Sequence, residues 1–121
     1  MKIALCAQNN TPDTSVDTRF GRTACFAVCD TETGRWQFAP NNQNLQAAQG
    51  AGIQAARAVL DMQADVLIAC NVGPRAMTAL TAAGVRIAQC PAGLSLQQAV
   101  EDFTAGKLQP LTEANVEGHW V

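Results

Sequence analysis

The chain is short of the features that mark the commonest functional classes. It has no excess of positive charge: eight Lys and Arg stand against ten Asp and Glu, for a net charge of -2 and a pI near 5.1. The basic residues are dispersed, so the electrostatic footprint of a nucleic-acid binder is missing. No apolar run approaches the ~18 residues of a membrane span. The first ten residues hold only a short apolar stretch, below the ~7–15 residues of a signal-peptide core. These absences predict a cytoplasmic protein with neither membrane nor nucleic acid among its partners. There is no Gly-Lys-Ser/Thr phosphate loop for an ATPase. Ser15 and Ser95 are the only serines, and Ser95 reads as a helix cap, which leaves serine catalysis without support. Asp13 and Asp17 lie in a polar loop, and the strand from Ile3 to Cys6 carries no carboxylate of the kind a metal-dependent nuclease needs. With no C-x-x-C and a single histidine, His119, near the end of the chain, thiol redox catalysis ranks low. The expectation is a protein that is not an enzyme.

What is present is an odd number of cysteines. Cys6, Cys25, Cys29, Cys70 and Cys90 sit in a chain of 121 residues. In a reducing compartment such a set argues against a disulfide framework, leaving thiols that are free or metal-bound. Most of them fall where an apolar run meets a polar or Gly/Pro-rich one. With 48% hydrophobic and 15% charged residues, residues 1–121 form one domain with a single core.

The pattern of apolar residues predicts an α/β sheet with a hairpin at one edge and helices on both faces. Lys2 to Ala7 reads as a buried strand. Gln8 to Arg22 is a polar stretch longer than the ~4–6 residues of an ordinary connection, which suggests a functional loop. Cys25 to Asp30 and Arg35 to Ala39 form the hairpin around Thr31-Glu32-Thr33-Gly34. A helix runs from Gly50-Ala51-Gly52 to about Met62, with Ile53, Ala56, Val59, Leu60 and Met62 as its apolar positions. Asp65 to Cys70 is apolar in both alternating sets, the mark of a strand buried on both faces. Pro74 then opens a helix that ends at Gly84, with Ala76, Met77, Leu80 and Ala83 facing inward. Val85 to Gln89 is a further strand, and Ser95-Leu96-Gln97-Gln98 has capping-box spacing for a helix that stops at Gly106. Lys107 to Val121 reads as a tail.

Three segments carry chemistry. Gly50-Ala51-Gly52-Ile53-Gln54-Ala55 matches a dinucleotide-binding string but lacks the preceding strand and a downstream ribose-binding acid, so it reads as glycines easing a helix start. Asp17-Thr18-Arg19-Phe20-Gly21-Arg22 places two arginines around an aromatic and a glycine, suited either to an anionic or flat ligand or to a surface turn plugged by Phe20. Asn71-Val72-Gly73-Pro74-Arg75 follows a buried strand and opens a helix, where free backbone N–H groups and Arg75 can receive an anion. Ligands of open α/β sheets sit at this end of the strands.

Taken together, Asp17-x-Arg19-Phe20-Gly21-Arg22-x-x-x-Phe26, Gly50 to Ala56, and Asp65-Val66-Leu67-Ile68 followed by Gly73-Pro74-Arg75-Ala76 resemble the dinitrogenase iron-molybdenum cofactor biosynthesis family. The resemblance extends to Gly118-His119. It implies a ribonuclease H-like three-layer α/β/α fold with a five-stranded mixed sheet of order 3-2-1-4-5 and an antiparallel second strand. It also implies a role as carrier or assembler of metal-sulfur clusters. Nitrogenase cofactor carriers of the family typically have His where this chain has Arg19, so the better match is a stand-alone, orange-protein-like member, a type that holds a molybdenum-copper sulfide cluster.

The implied topology gathers Cys6, Cys70 and Cys90 at the carboxyl ends of parallel strands, returns Cys25 to the same rim, and leaves Cys29 at the far end as a structural residue. Arg19, Phe20, Gly21, Arg22, Asn71, Gly73, Pro74 and Arg75 are the expected cofactor-binding residues. Cys6, Cys25, Cys70, Cys90 and, if the tail folds over, His119 are the expected metal ligands. The expected cargo is a metal-sulfide cluster of Mo/Cu, Mo/Fe or Fe–S type, exchanged with donor or acceptor proteins. The alternative is a metal-free regulatory or adaptor domain that meets a partner protein through Gln8 to Arg22, with buried, inert thiols.

Overall fold

The structure, a computed structural model, describes residues 1–41 and 51–115, with Ala51 described by its backbone alone. One mixed sheet carries β1 (Lys2–Ala7), β2 (Cys25–Asp30), β3 (Arg35–Pro40), β4 (Val66–Ala69), β5 (Arg86–Gln89) and β6 (Gln109–Pro110), in the spatial order β3-β2-β1-β4-β5-β6. Helices α1 (Ala51–Asp61), α2 (Pro74–Ala82) and α3 (Leu96–Thr104) complete the elements described. β1, β4 and β5 run parallel, while β2 is antiparallel to both β1 and β3.

The sheet therefore has six strands rather than the five expected. The sixth comes from the segment read as a tail: Gln109 and Pro110 pair antiparallel with Gln89 and Ala88, and the Leu111 N–H donates to the Ile87 carbonyl at 2.8 Å. Leu108 packs on one face of the sheet and Leu111 on the other. Two paired residues are too short to show strand periodicity, and Pro110 is tolerated because it lies on the edge. His119 lies outside the described residues.

The pleat sorts the core into two. Ala4, Cys6, Phe26, Val28, Leu67, Ala69 and Ile87 face α1 and α2, whereas Ile3, Leu5, Ala7, Cys25, Ala27, Cys29, Val66, Ile68, Cys70, Ala88 and Cys90 face α3. β4 is buried on both faces, as a parallel strand covered by helices must be. Within α1, Ala55, Ala56 and Val59 turn inward while Ile53 is exposed. In α2, Ala76, Met77 and Leu80 are buried, but Ala83 is the exposed C-cap before Gly84, whose φ of 83° suits only glycine without strain.

The loop after β1 is ordered by backbone bonds. The Val16 N–H donates to the Leu94 carbonyl at 2.9 Å, and Thr14 and Pro12 carbonyls accept from Leu96 and Gln97 at 2.9 and 3.0 Å. These carbonyls satisfy N–H groups at the start of α3 that would otherwise be orphans. The Ser95 hydroxyl accepts from the Gln98 N–H at 3.1 Å, but Gln98 does not reach back. Its amide donates to Asp102 at 2.7 Å, so half of the capping box forms.

Candidate functional site

The carboxyl ends of β1, β4 and β5 form a rim, and three connections meet there. Asn71, just beyond β4, donates its amide to the Thr18 carbonyl at 2.9 Å, fastening the loop that contains Arg19 to the turn that opens α2. Asp17, one residue before Thr18, donates its own N–H to the Cys6 carbonyl at 2.8 Å. Asn115 closes the third side: its Oδ1 accepts from the Val72 N–H at 2.8 Å, its Nδ2 donates to the Cys70 carbonyl at 2.9 Å, and its N–H donates to the Val72 carbonyl at 3.1 Å.

Of the eight expected cofactor-binding residues, Arg19, Pro74 and Arg75 are exposed, and Asn71 and Arg22 are half-buried. Among the described residues no carboxylate forms an ion pair with Arg19 or Arg75. Phe20 resolves its two readings toward the plug: it is 1% exposed and meets Phe26 edge-to-face at 6.0 Å and 64°. Gly21 is buried beside it, its carbonyl accepting from the amide of buried Asn41 at 3.4 Å. Asn41 also donates to the Thr23 carbonyl at 2.9 Å, and the Thr23 hydroxyl donates to either the Ala7 or the Cys25 carbonyl, at 3.1 and 3.0 Å.

Gly73 caps α2 in an extended conformation with no side-chain hydrogen bond, and Pro74 follows as the first helical residue. The first-turn N–H groups of α2 thus lack the side-chain acceptor that α3 has in Ser95. A shallow apolar groove lined by Ile53, Pro74, Arg75, Thr78 and Ala79 runs beside them.

The thiols are not one ligand set. Cys25, Cys70 and Cys90 share the α3 face, whereas Cys6, one residue before the end of β1, points through the sheet toward α1 and α2. Cys29 pairs with Ile3 near the start of β1, whereas Cys25 pairs with Ala7 at its carboxyl end. Among the described residues, no three His, Cys, Asp or Glu side chains group as a metal site. Among the described residues the four thiols do not assemble as one centre: Cys25 lies opposite Ala7, the strand neighbour of Cys6, and adjacent residues of a strand face opposite ways.

Electrostatics separate the thiols further. Burial pushes Cys6 well above the usual thiol range, with Asp17, Cys70 and Cys25 adding repulsion. Cys25 is raised by burial and Asp17, and its thiol lies 3.3 Å from the Asn9 carbonyl. Cys29 is raised by burial and Asp30. Cys70 alone is lowered: its interaction with the Cys90 thiol outweighs burial and Asp17, while Cys90 is raised by the same interaction. The Cys90 S–H itself donates to the Pro91 carbonyl at 3.2 Å.

A pH dependence follows from Cys6. Its folded-state pKa lies above the unfolded value, so above about pH 8.5 the unfolded chain releases a proton that the folded chain keeps. Stability should fall by about 1.4 kcal/mol per pH unit from this thiol in that window, and be unaffected by it below. Urea titrations of the wild type and Cys6→Ala between neutral and alkaline pH check this. The variant should lose the corresponding part of the alkaline slope.

The fold defines a small mixed-sheet α/β domain in which three connections meet at the carboxyl ends of the parallel strands. The chain belongs to the dinitrogenase iron-molybdenum cofactor family, whose family model matches residues 1–106. It is similar to the apo form of the orange protein from Desulfovibrio gigas, with 37% identity and a TM-score of 0.92 over 95% of this chain and 96% of that one. It is also similar to a putative NifB protein from Thermotoga, with 31% identity and a TM-score of 0.82 over 97% and 98% of the two chains. No curated protein matches it.

Asn115, Asn41 and Thr23 were not foreseen as site-building residues. Each acts through a main-chain partner far away in sequence, and no local spacing marks such a contact.

Proposed function

We propose that this protein binds and carries a metal-sulfide cluster, containing molybdenum with copper or iron or being of Fe–S type, as a non-catalytic step in cluster handling in the cytoplasm. The observation that carries the reading is the Asn71–Thr18 hydrogen bond, which fastens the Arg19 loop to the uncapped start of α2. Such a cluster is an anion with soft sulfur surfaces. Arg19, Arg22 and Arg75 supply positive charge, and the N–H groups of Arg75 and Ala76 at the start of α2 supply fixed donors. The donor set fits an anion held without covalent ligation, since the thiols form no cage. Asp17 opposes it, as a carboxylate that also acts on Cys6, Cys25 and Cys70. Family membership and the likeness to the orange protein support the same class of cargo, and the sheet order with helices on both faces supports a ribonuclease H-like reading of the fold. Donor and acceptor proteins of the cluster would be its partners.

A metal-free adaptor that meets a partner through Gln8 to Arg22 is favoured by one fact, the burial of all five thiols. The bonds that hold this loop on β1, α3 and Asn71 count against it, because they commit its backbone to its own chain.

Anaerobic purification and cluster reconstitution, followed by metal analysis and visible absorption, test the proposal. The wild type should retain metal and colour. Arg19→Gln and Arg75→Gln should each weaken retention roughly tenfold, the size of one lost charge-assisted contact. A protein that stays colourless and metal-free after reconstitution overturns the reading.

A further inference from the structure

Cys70 and Cys90 directly follow the neighbouring parallel strands β4 and β5, one step beyond the last paired row, Ala69 with Gln89. The Cys90 N–H donates to the Ala69 carbonyl at 3.0 Å, so the ladder continues to the pair. Both side chains lie on the α3 face. Neighbouring strands stand about 4.8 Å apart, within the about 4.4–6.8 Å between Cα atoms that a disulfide spans. The two thiols are near enough for each to shift the other's titration. Tertiary structure thus assembles a dithiol that the sequence, lacking C-x-x-C, does not announce. Cys25, the third thiol on this side of the rim, has backbone carbonyls rather than a thiol as hydrogen-bond acceptors, those of Asn9 and Ala7.

We propose that Cys70 and Cys90 are a site of reversible oxidation, closing to a cross-strand disulfide on reaction with a hydroperoxide. Cys70, the more exposed of the two, attacks as the thiolate; its sulfur bonds to one peroxide oxygen, the O–O bond breaks, and the other oxygen leaves as hydroxide, which takes up the proton that Cys70 released. Cys90 then attacks the sulfur of the Cys70 sulfenic acid. The S–S bond forms, the S–O bond breaks, and hydroxide leaves, taking up the Cys90 proton as water. Overall, two thiols lose two electrons and hydrogen peroxide is reduced to two waters. Cys70 is 6% exposed and Cys90 2%, which favours a small oxidant at Cys70 and leaves Cys90 to resolve the intermediate.

The disulfide would tie β4 to β5 directly beneath the Asn71 turn. Asn115 already holds the Cys70 carbonyl there, so the staple forms on a backbone fixed in place. The inference does not rest on the cluster reading, and its test uses metal-free protein.

The full, reduced chain is treated with hydrogen peroxide without metals, then digested with trypsin under non-reducing conditions. Cleavage after Arg57, Arg75, Arg86 and Lys107 leaves Cys70 in peptide 58–75 and Cys90 in 87–107, each with a single cysteine. The expected product is these two peptides joined, and separated again by a dithiol reductant. Cys90→Ser should stop the reaction at a Cys70 sulfenic acid that a dimedone reagent traps, roughly tenfold faster than any label on Cys25. Oxidation of Cys25 or Cys29 ahead of Cys70 in the wild type, or a wild-type digest without the joined peptides, overturns the proposal whether or not the variant folds.

Discussion

Replacing Phe20 with alanine should destabilise the protein by about 3–5 kcal/mol, the cost of removing a buried phenyl ring and leaving a cavity. The ring is fully enclosed and packs edge-to-face on Phe26, between the sheet and the face covered by α1 and α2. It lies between Arg19, which is exposed, and Gly21, which is buried. The loop is therefore held by its apolar member and presents its charged ones. Urea denaturation should show a large drop in midpoint, and Phe20→Leu, which keeps most of the volume, should recover much of it. Anion retention should fall in Phe20→Ala as it does in Arg19→Gln, but with loss of stability as its cause. A Phe20→Ala protein within about 1 kcal/mol of wild type would refute the anchoring role.

The second large effect is expected at Asn115. Its side chain satisfies one main-chain donor and one main-chain acceptor on either side of Asn71, and both are left without a partner in Asn115→Ala. An unsatisfied, partly buried backbone group costs about 1–3 kcal/mol, so a loss of about 2 kcal/mol is expected in chemical denaturation. Hydrogen exchange gives the local readout: the Val72 amide should exchange faster, with core amides of β1 slowed or quickened only as global stability dictates. Asn115→Asp should protect Val72 again, because a carboxylate still accepts, while leaving the Cys70 carbonyl without its donor. Unchanged Val72 protection in Asn115→Ala would show that the clamp is idle.

Much of the fold was readable from local pattern. β4 shows itself as an apolar run, α2 as a proline start with a glycine stop, and the hairpin as two runs around Gly34, whose φ is 74°. The errors have local causes too. Ile53 and Ala83 are apolar residues on faces the tertiary packing leaves open, and periodicity alone cannot tell a covered flank from an uncovered one. β6 escaped because two residues carry no period and its pairing is made with β5, some twenty positions earlier.

The cysteines divide the two sources of information most sharply. Composition and spacing determined that there are five thiols, that their odd number argues against a disulfide framework and that no C-x-x-C links them, and that most of them sit where apolar runs end. They also marked Asp17 to Arg22 and Asn71 to Arg75 as the segments with chemistry. Only the tertiary structure decided which thiols meet. Strand register brought Cys70 against Cys90, and pleat parity turned Cys6 to the opposite face. Cys25 found its hydrogen-bond acceptors in the β1 end and the loop that follows it. The physical reason is that a residue's place in sequence sets its position along a strand. Its neighbours depend on which strand lies alongside, and that is a property of the whole sheet.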